Sequence, residues 1–551
     1  MNRTREPQLH TVFLCATVFL LIAHWPAFQN PFVINDDVRQ QIYWMEKWRD
    51  PELFSGDLLS RYAQSYVPWG VQAIYYLGSF WMSPVQFSKV VTAALFLITT
   101  GLLFMLGTRL RDARLGLMTV LVSFFFPGFL DALSGGLSRS FVFPLLLAHL
   151  ILLADGRIAC AAGVILFQSF LNPYVFLLCL TTQAVWMART LWRSRSGRGR
   201  VESCATIILA NLPAMVGMGL IWLRYVVLKS PEFGEVVTWQ NVLDKVELTD
   251  LGRYPVVPVP SILHELARPW RFFFPFDELG SFAGWSGLCL FAAVLAALLL
   301  IAARTAGPES IDPRRTDLAK LLVFSDLLLA SVLLYGIAYL FLMRLFLPSR
   351  YLEYSLVVFY CVLLAFFLDR VGRALDPGAR HLRILMVIAT LLGGARNYHV
   401  SLVDCSQEAP LYRFLRTTPK NALVAGHPNL MDNVVTFARR KALVTYELSH
   451  PWYTRYWDLL RERTSDLFQA YYSQDPSEVR QICQRHRIDY LVVREEDFSS
   501  KRLSCGPVYF EPFNRLIRQR IGAGRRFVVL DRKRFPPTFE CNGIRVLEPN
   551  R

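Results

Sequence analysis

Charge is scarce in this chain. Asp, Glu, Lys and Arg make up 19% of its 551 residues, against about 25% in soluble domains. With an apolar share of 53% and a mean hydropathy of +0.32, that excludes an ordinary water-soluble globule. Soluble-enzyme signatures are missing as well. There is no phosphate-binding glycine loop and no His-Glu-x-x-His pair, which excludes the common nucleotide-cradling loop and the zinc-peptidase helix. None of the ten cysteines has the spacing of a zinc site. No Asn-x-Ser/Thr sequon lies in the segments read below as outward-facing, which leans towards a bacterial envelope protein over a eukaryotic secretory one.

Negative charge is scarcer than positive: 43 acidic against 59 basic residues, a net charge of +16. No DNA- or RNA-binding motif accompanies the excess, so no nucleic-acid partner is expected. The basic residues gather in short loops between apolar runs instead. They include Arg109, Arg111 and Arg114; Arg193, Arg195, Arg198 and Arg200; Arg304, Arg314 and Arg315; and Arg370, Arg373, Arg380 and Arg383. Short basic loops mark the cytoplasmic side of a membrane protein.

Apolar runs near twenty residues recur over roughly the first four hundred positions, the length a helix needs to cross a bilayer. Arg3 and Arg5 put the N-terminus inside, and the run Thr11–Ala27 lacks a small-x-small cleavage site, so it reads as an uncleaved first span. Further spans are expected at 87–106, 115–130, 141–153, 204–227, 283–303, 321–346, 351–368 and 384–400. The run 158–187 is too long for one untilted helix. Asn172-Pro173 interrupts it, and proline disfavours helix in the residue before it, so two short spans are expected there. The path gives about eleven spans, each basic loop inside and the C-terminal region outside. The expected fold is a polytopic α-helical membrane protein (residues 1–404, with outer loops 28–86 and 229–282) carrying a C-terminal extracytoplasmic α/β domain (405–551).

In that outer domain, 422–425, 442–446, 490–493 and 526–530 read as strands, and 432–438 and 477–486 as helices, which predicts a small, mainly parallel sheet. Its cysteines Cys405, Cys483, Cys505 and Cys541 are either paired in an oxidising compartment or buried thiols. An aromatic stretch, 69–81, is expected at the membrane interface.

This topology gathers the unusual polar residues on one side. Asp36 and Asp37 open the first outer loop. Asp131 and Arg139 flank the next outer turn, and Asn172 the one after. Arg344, Arg350 and Glu353 surround the turn 347–351, and the large loop adds His264, Arg268 and Arg271 among Trp270 and Phe272–Phe274. Each has a plainer reading. Asp36 caps a helix running through Val38, Ile42 and Met45 that lies on the membrane surface; Asp131 pairs with Arg139; Arg139 and Arg350 snorkel to headgroups; the aromatics form an interfacial belt. Taken together they supply a carboxylate that can act as general base or hold a cation such as Mg or Mn, and guanidinium groups able to grip a lipid-linked phosphate. Asp326 and Arg224 lie inside spans without an evident partner.

The run Asn35-Asp36-Asp37-Val38-Arg39-Gln40, followed by the surface helix Tyr43–Trp48, resembles the GT-C membrane glycosyltransferases. These have a first span, an outer loop that opens on an acidic pair, many further spans and often a soluble outer domain. The chain departs from members of the class in carrying Asp-Asp where mannosyltransferases commonly have Asp-Glu, and in lacking the Trp-Trp-Asp-Tyr-Gly run of oligosaccharyltransferases. The resemblance implies transfer of a sugar from a polyprenyl-phosphate carrier to a glycan, lipid or protein acceptor of the envelope, on the outer face of a bacterial inner membrane. Asp36 or Asp37 would be catalytic, or metal-linked if a divalent cation is used. Arg350, Arg139, Arg344, Glu353, His264 and Arg271 would bind substrate. The alternatives are a non-catalytic scaffold in polysaccharide assembly and a lipid or solute transporter. A transporter is expected to place its polar residues near the bilayer midplane, which this chain does not do.

Overall fold

The computed structural model describes residues 6–193, 208–242, 245–256, 262–270, 318–342, 344–345, 347–374, 379–504, 508–522 and 526–550. The chain opens with α1 (Glu6–Ala23), the short strand β1 (Val33–Asn35) and a single turn, α2 (Val38–Gln41). Helices α3 (Leu58–Tyr66) and α4 (Trp69–Gly78) lead to α5 (Pro84–Leu110). Ser83 caps α5 by accepting from the Gln86 amide, with Pro84 in the first turn, where its missing N–H costs nothing. At 27 residues, α5 is about 40 Å long, enough to cross a bilayer with some tilt.

Next come α6 (Ala113–Ser123), α7 (Pro127–Leu133), α8 (Val142–Ala154), α9 (Ile158–Gln168), α10 (Pro173–Arg193), α11 (Leu212–Trp222, extended by a π turn to Val227), α12 (Leu318–Leu340), α13 (Arg350–Ala374) and α14 (Ala379–Arg396). Four of the described helices (84–110, 173–192, 320–340 and 350–373) are long and apolar enough to cross a membrane, or five if α6 and α7 count as one broken span. Shorter apolar helices cover 9–23, 138–154, 158–168, 212–227 and 384–396. The break at Asn172-Pro173 is present between α9 and α10. The expected span at 115–130 is bent: α6 and α7 are apolar enough to count together as one broken span but meet at 74°, because Pro127 cannot donate the hydrogen bond that would continue the helix. The expected span 283–303 lies outside the described residues.

Among the described residues, the basic loop 109–114 meets Asp155, Asp369 and Arg373 at one end of the bundle. Arg109 pairs with Asp155. Arg111 and Arg114 reach Asp369 at 3.3 and 3.2 Å, and Arg373 binds Asp112 and Asp369 at 2.7 and 2.8 Å. Asp326, without an evident partner in the sequence, is held by Arg189 at 2.6 Å. Arg224 donates to the carbonyl oxygens of Ser65 and Val67. The exposed face of α4 and its following turn is apolar, with Tyr76, Leu77, Phe80 and Trp81 exposed.

The C-terminal region begins with β2 (Leu402–Asp404), which pairs antiparallel with β1. It continues through α15 (Ala409–Thr417), β3 (Leu423–Gly426), α16 (Pro428–Asn433), β4 (Lys441–Ala442), α17 (Thr454–Tyr471), α18 (Pro476–His486), β5 (Tyr490–Arg494), α19 (Phe513–Gly522), β6 (Pro537–Cys541) and β7 (Ile544–Leu547). The sheet order is β4-β3-β5-β7-β6. β4, β3 and β5 are parallel, while β7 and β6 run antiparallel, so the sheet is mixed rather than mainly parallel. Residues 526–530 are not a strand: Val528–Leu530 is a 3-10 turn, and the hairpin that completes the sheet lies beyond it at 537–547. The expected strand 442–446 shrinks to β4, because the chain turns away after Ala442 to enter the site described below. Cys405, Cys483 and Cys541 are free thiols; Cys505 lies outside the described residues.

The segment 38–48 corrects another expectation. Val38, Ile42, Tyr43, Trp44 and Met45 are at most 1% exposed. Instead of resting on the membrane surface as one helix, this segment is a turn of α2 and a 3-10 turn (Tyr43–Trp48), packed beneath the C-terminal unit. The buried Glu46 receives Arg439 at 3.1 Å, which secures that contact.

Candidate functional site

Pairing of β1 with β2 sets the geometry of the site. It aligns Asn35 with Leu402, so the acidic doublet that follows α1 is fixed against the chain that leaves α14. The Asn35 amide donates to the Ser401 carbonyl at 2.9 Å, and its Oδ1 accepts from the Asp37 backbone amide at 3.1 Å and from Arg139 at 3.3 Å. Asp37 stands at the N-cap of α2, yet its side chain makes no capping bond. It pairs instead with Arg139, Nη1 to Oδ2, at 2.6 Å. Arg139 reaches this point because Gly135 and Gly136 turn the chain with φ of +89° and +61°, conformations that L side chains avoid. Asp131 does not ion-pair with Arg139; it accepts from the Ser401 hydroxyl.

Asp37, Arg139 and Arg350 line one cavity of about 270 Å³. Asn172 and Pro173, from the broken span, contribute to its wall, together with a ring of aromatics: Tyr62, Tyr66, Tyr174, Tyr254, Tyr354 and Trp452. Arg350 is held by Glu353, whose two carboxylate oxygens each lie 3.2 Å from Nη1. Glu353 thus orients the guanidinium rather than lining the cavity. The Arg139 Nε is buried with no hydrogen-bond partner, leaving one donor available to an anion.

The other expected site residues fall elsewhere. Asp36 is turned away: it pairs with Arg39 at 2.6 Å and is half exposed, and it does not line the cavity. Arg344 is exposed and is not part of the lining. His264 belongs to the short helix Ile262–Ala267, its side chain outside the described set, and Arg271 lies outside the described residues altogether. Among the described residues no three His, Cys, Asp or Glu side chains gather as a metal site, and the Asp37 carboxylate is engaged by Arg139. This donor set does not fit Mg or Mn.

The sequence reading missed the segment Glu447–Tyr453, Glu-Leu-Ser-His-Pro-Trp-Tyr. It enters the same cavity through Glu447, His450, Trp452 and Tyr453. One signal for it was available: a histidine, a tryptophan and a tyrosine packed round a proline, where the expected strand 442–446 ends. His450 stacks on Trp452 with ring centroids 4.2 Å apart. Its Nε2 accepts from the Gln40 amide at 2.8 Å, and its Nδ1 faces the Tyr62 hydroxyl at 3.2 Å. Burial, helped by the nearby Arg253, pushes the His450 pKa well below the usual histidine range, which favours the neutral ring. The same Gln40 amide donates to the Glu447 carbonyl at 2.7 Å. Gln40 thereby couples the segment after the acidic doublet to the C-terminal unit, and Arg39 adds a bond to Asn433 at 2.9 Å.

Glu447 faces Arg253 at 3.1 Å, both nearly buried. Burial and the neighbouring Asp432 raise the Glu447 pKa, Arg253 opposes them, and the upward push wins. Arg253 itself is sandwiched by the rings of Tyr446 and Tyr254 at 4.1 and 4.9 Å, a cation–π arrangement that keeps the guanidinium in place.

Residues 395–505, which include the Glu447–Tyr453 segment, match the family model described as Dpy19, Q-cell neuroblast polarisation. None of the curated proteins is similar enough in sequence to match. Among solved structures, ArnT from Cupriavidus metallidurans in the apo state is similar, with a TM-score of 0.49 and 12% identity, over 90% of this chain and 94% of that one. The Archaeoglobus fulgidus oligosaccharyltransferase in complex with Zn and sulfate gives a TM-score of 0.47 and 11% identity, over 90% of this chain and 69% of that one. Oligosaccharyltransferase AglB of the same organism, in complex with an inhibitory peptide and a dolichol-phosphate, gives 0.45 and 11%, over 92% and 71%.

Proposed function

We propose that this chain is a GT-C-type membrane glycosyltransferase that moves a sugar from a polyprenyl-phosphate carrier to an envelope acceptor. In this reading the cavity opens on the outer face of a bacterial inner membrane, with the N-terminus in the cytoplasm and residues 405–551 outside. The observation that carries it is the meeting of Asp37, Arg139 and Arg350, from three separate stretches of chain, in one aromatic-lined cavity. At about 270 Å³ the cavity is close to the lower end of small-molecule sites, about 300 Å³. It suits a sugar phosphate, and the lipid tail would lie outside it along the apolar spans.

The chemistry follows from the charges. Arg139 holds Asp37 at 2.6 Å. An entering phosphate draws Arg139 and Arg350 to its oxygens, since guanidinium groups bind phosphate strongly and with defined geometry. Asp37 is then released to take the proton of an acceptor hydroxyl. The acceptor oxygen attacks the anomeric carbon, the carbon–oxygen bond to the carrier phosphate breaks, and the phosphate leaves with the bonding pair, its charge met by the two arginines. One displacement inverts the anomeric configuration. The aromatic wall offers flat faces to the sugar ring and excludes water, which strengthens each charge interaction inside.

The reading is tested in cells that lack the protein, by comparing envelope glycans after complementation with wild type, Arg139→Gln and Arg350→Gln at matched membrane levels. Loss of the same glycan in both variants is expected. Wild-type glycans in both would remove the phosphate clamp, and with it the reading.

A further inference from the structure

A second feature lies at the opposite end of the bundle, about one length of α5 away. Between α6, α13 and α14 runs a groove of about 470 Å³, walled by Met118, Leu121, Phe125, Leu368, Leu385 and Ile388. Its lining is wholly apolar. At its mouth stands the ion cluster of the basic loops. Three guanidinium groups, Arg111, Arg114 and Arg373, face two carboxylates, Asp112 and Asp369, which leaves one positive charge over. Three donors in this cluster, Arg111 Nε, Arg114 Nε and Arg114 Nη2, are buried without a hydrogen-bond partner, although Arg114 Nε lies 3.2 Å from Asp369 Oδ1. Groove and cluster are contiguous: Gly372 lines the groove, and a Cβ built on it would lie 3.0 Å from Arg114 Nη2.

We propose that this niche is a binding site for an anionic phospholipid, with an acyl chain in the groove and the phosphate on Arg111 and Arg114. Apolar walls that end in a surplus of guanidinium donors have the polarity of such a lipid, and basic pockets between spans on the cytoplasmic side select anionic headgroups. The α6 N-terminus at Asp112 adds its partial positive charge on the same side. A free phosphate ion has no use for the groove, and a zwitterionic lipid brings its cation back against the arginines. The proposal stands apart from the sugar-transfer reading, since the niche shares no residue with the cavity round Asp37.

The test is lipid retention by the full-length protein, purified in detergent after mixing with equal amounts of phosphatidylglycerol and phosphatidylcholine and measured by mass spectrometry. Wild type is expected to keep phosphatidylglycerol about fivefold over phosphatidylcholine, the preference of roughly one surface arginine. Arg114→Gln should erase the preference. Ile388→Trp, which fills the groove and leaves the charges alone, should lower retention of both lipids. Excess inorganic phosphate should displace neither. Equal retention of the two lipids by wild type, or displacement by free phosphate, overturns the proposal. Should Arg114→Gln fail to fold, Ile388→Trp decides: unchanged retention would sink it.

Discussion

Arg139 Nη1 lies 2.6 Å from Asp37 Oδ2, and that pair distinguishes the two members of the acidic doublet. Asp37 faces the cavity and its arginines; Asp36 faces outward and is held by Arg39.

Arg350 carries a prediction about binding. Its partner Glu353 fixes the guanidinium from 3.2 Å. Arg350→Lys keeps the charge but loses the planar fork that meets phosphate oxygens in pairs. KM for a polyprenyl-phosphate sugar should rise about tenfold, with kcat changed less. Glu353→Gln should raise KM by a smaller factor, because it only loosens the orientation. Steady-state kinetics on purified protein separates the two.

The extent to which this site was legible varies by residue. The break at Asn172-Pro173 and the place of the acidic doublet could be read from the chain, because proline chemistry and a charged pair next to a span are local signals. The choice between Asp36 and Asp37 could not, since it depends on Arg139 arriving from a distant turn. Nor could the burial of Trp44 and its neighbours, whose amphipathic pattern suits a membrane surface and a protein interior equally well. Glu447 and His450 escaped for the same reason: they enter the cavity only because β4 ends at Ala442 and the chain turns back under Gln40.

Glu447 predicts a pH dependence of stability. Its pKa is raised on folding, chiefly by burial and then by Asp432. The folded state therefore binds its proton more tightly than the unfolded state does. That contribution is whole below the ordinary glutamate pKa of about 4.3, and is lost as pH rises through the raised value. Wild-type Tm should fall as pH rises from about 5 upward. Glu447→Gln keeps a polar group beside Arg253 and removes the titration, so its Tm should fall less over the same range. Parallel curves would show that Glu447 does not titrate there.

Gly135 predicts a structural effect that reaches the site. Its φ is +89°, and an added Cβ would sit 2.9 Å from Asn35 Oδ1. Gly135→Ala should cost about 1–2 kcal/mol from the backbone alone and displace Asn35, which positions Asp37. A lower Tm together with reduced transfer is expected. Full activity at wild-type Tm would mean that the turn is not needed to seat Arg139.

The membrane orientation is testable with single cysteines at two exposed positions. A membrane-impermeant maleimide should label Arg344→Cys in intact cells, and Arg370→Cys only after permeabilisation, because Arg344 precedes the start of α13 and Arg370 lies near its other end. The reverse pattern would invert the topology and move the cavity to the cytoplasm.

The most direct measurement is transfer of a labelled sugar from a polyprenyl-phosphate donor by purified protein in bilayers, comparing Asp37→Asn with Asp36→Asn. Loss of a general base costs about 100- to 10,000-fold. The account predicts a loss of that size for Asp37→Asn, and for Asp36→Asn a rate within about tenfold of wild type, since Asp36 is outside the cavity. Wild-type turnover by Asp37→Asn, or a collapse confined to Asp36→Asn, would contradict it.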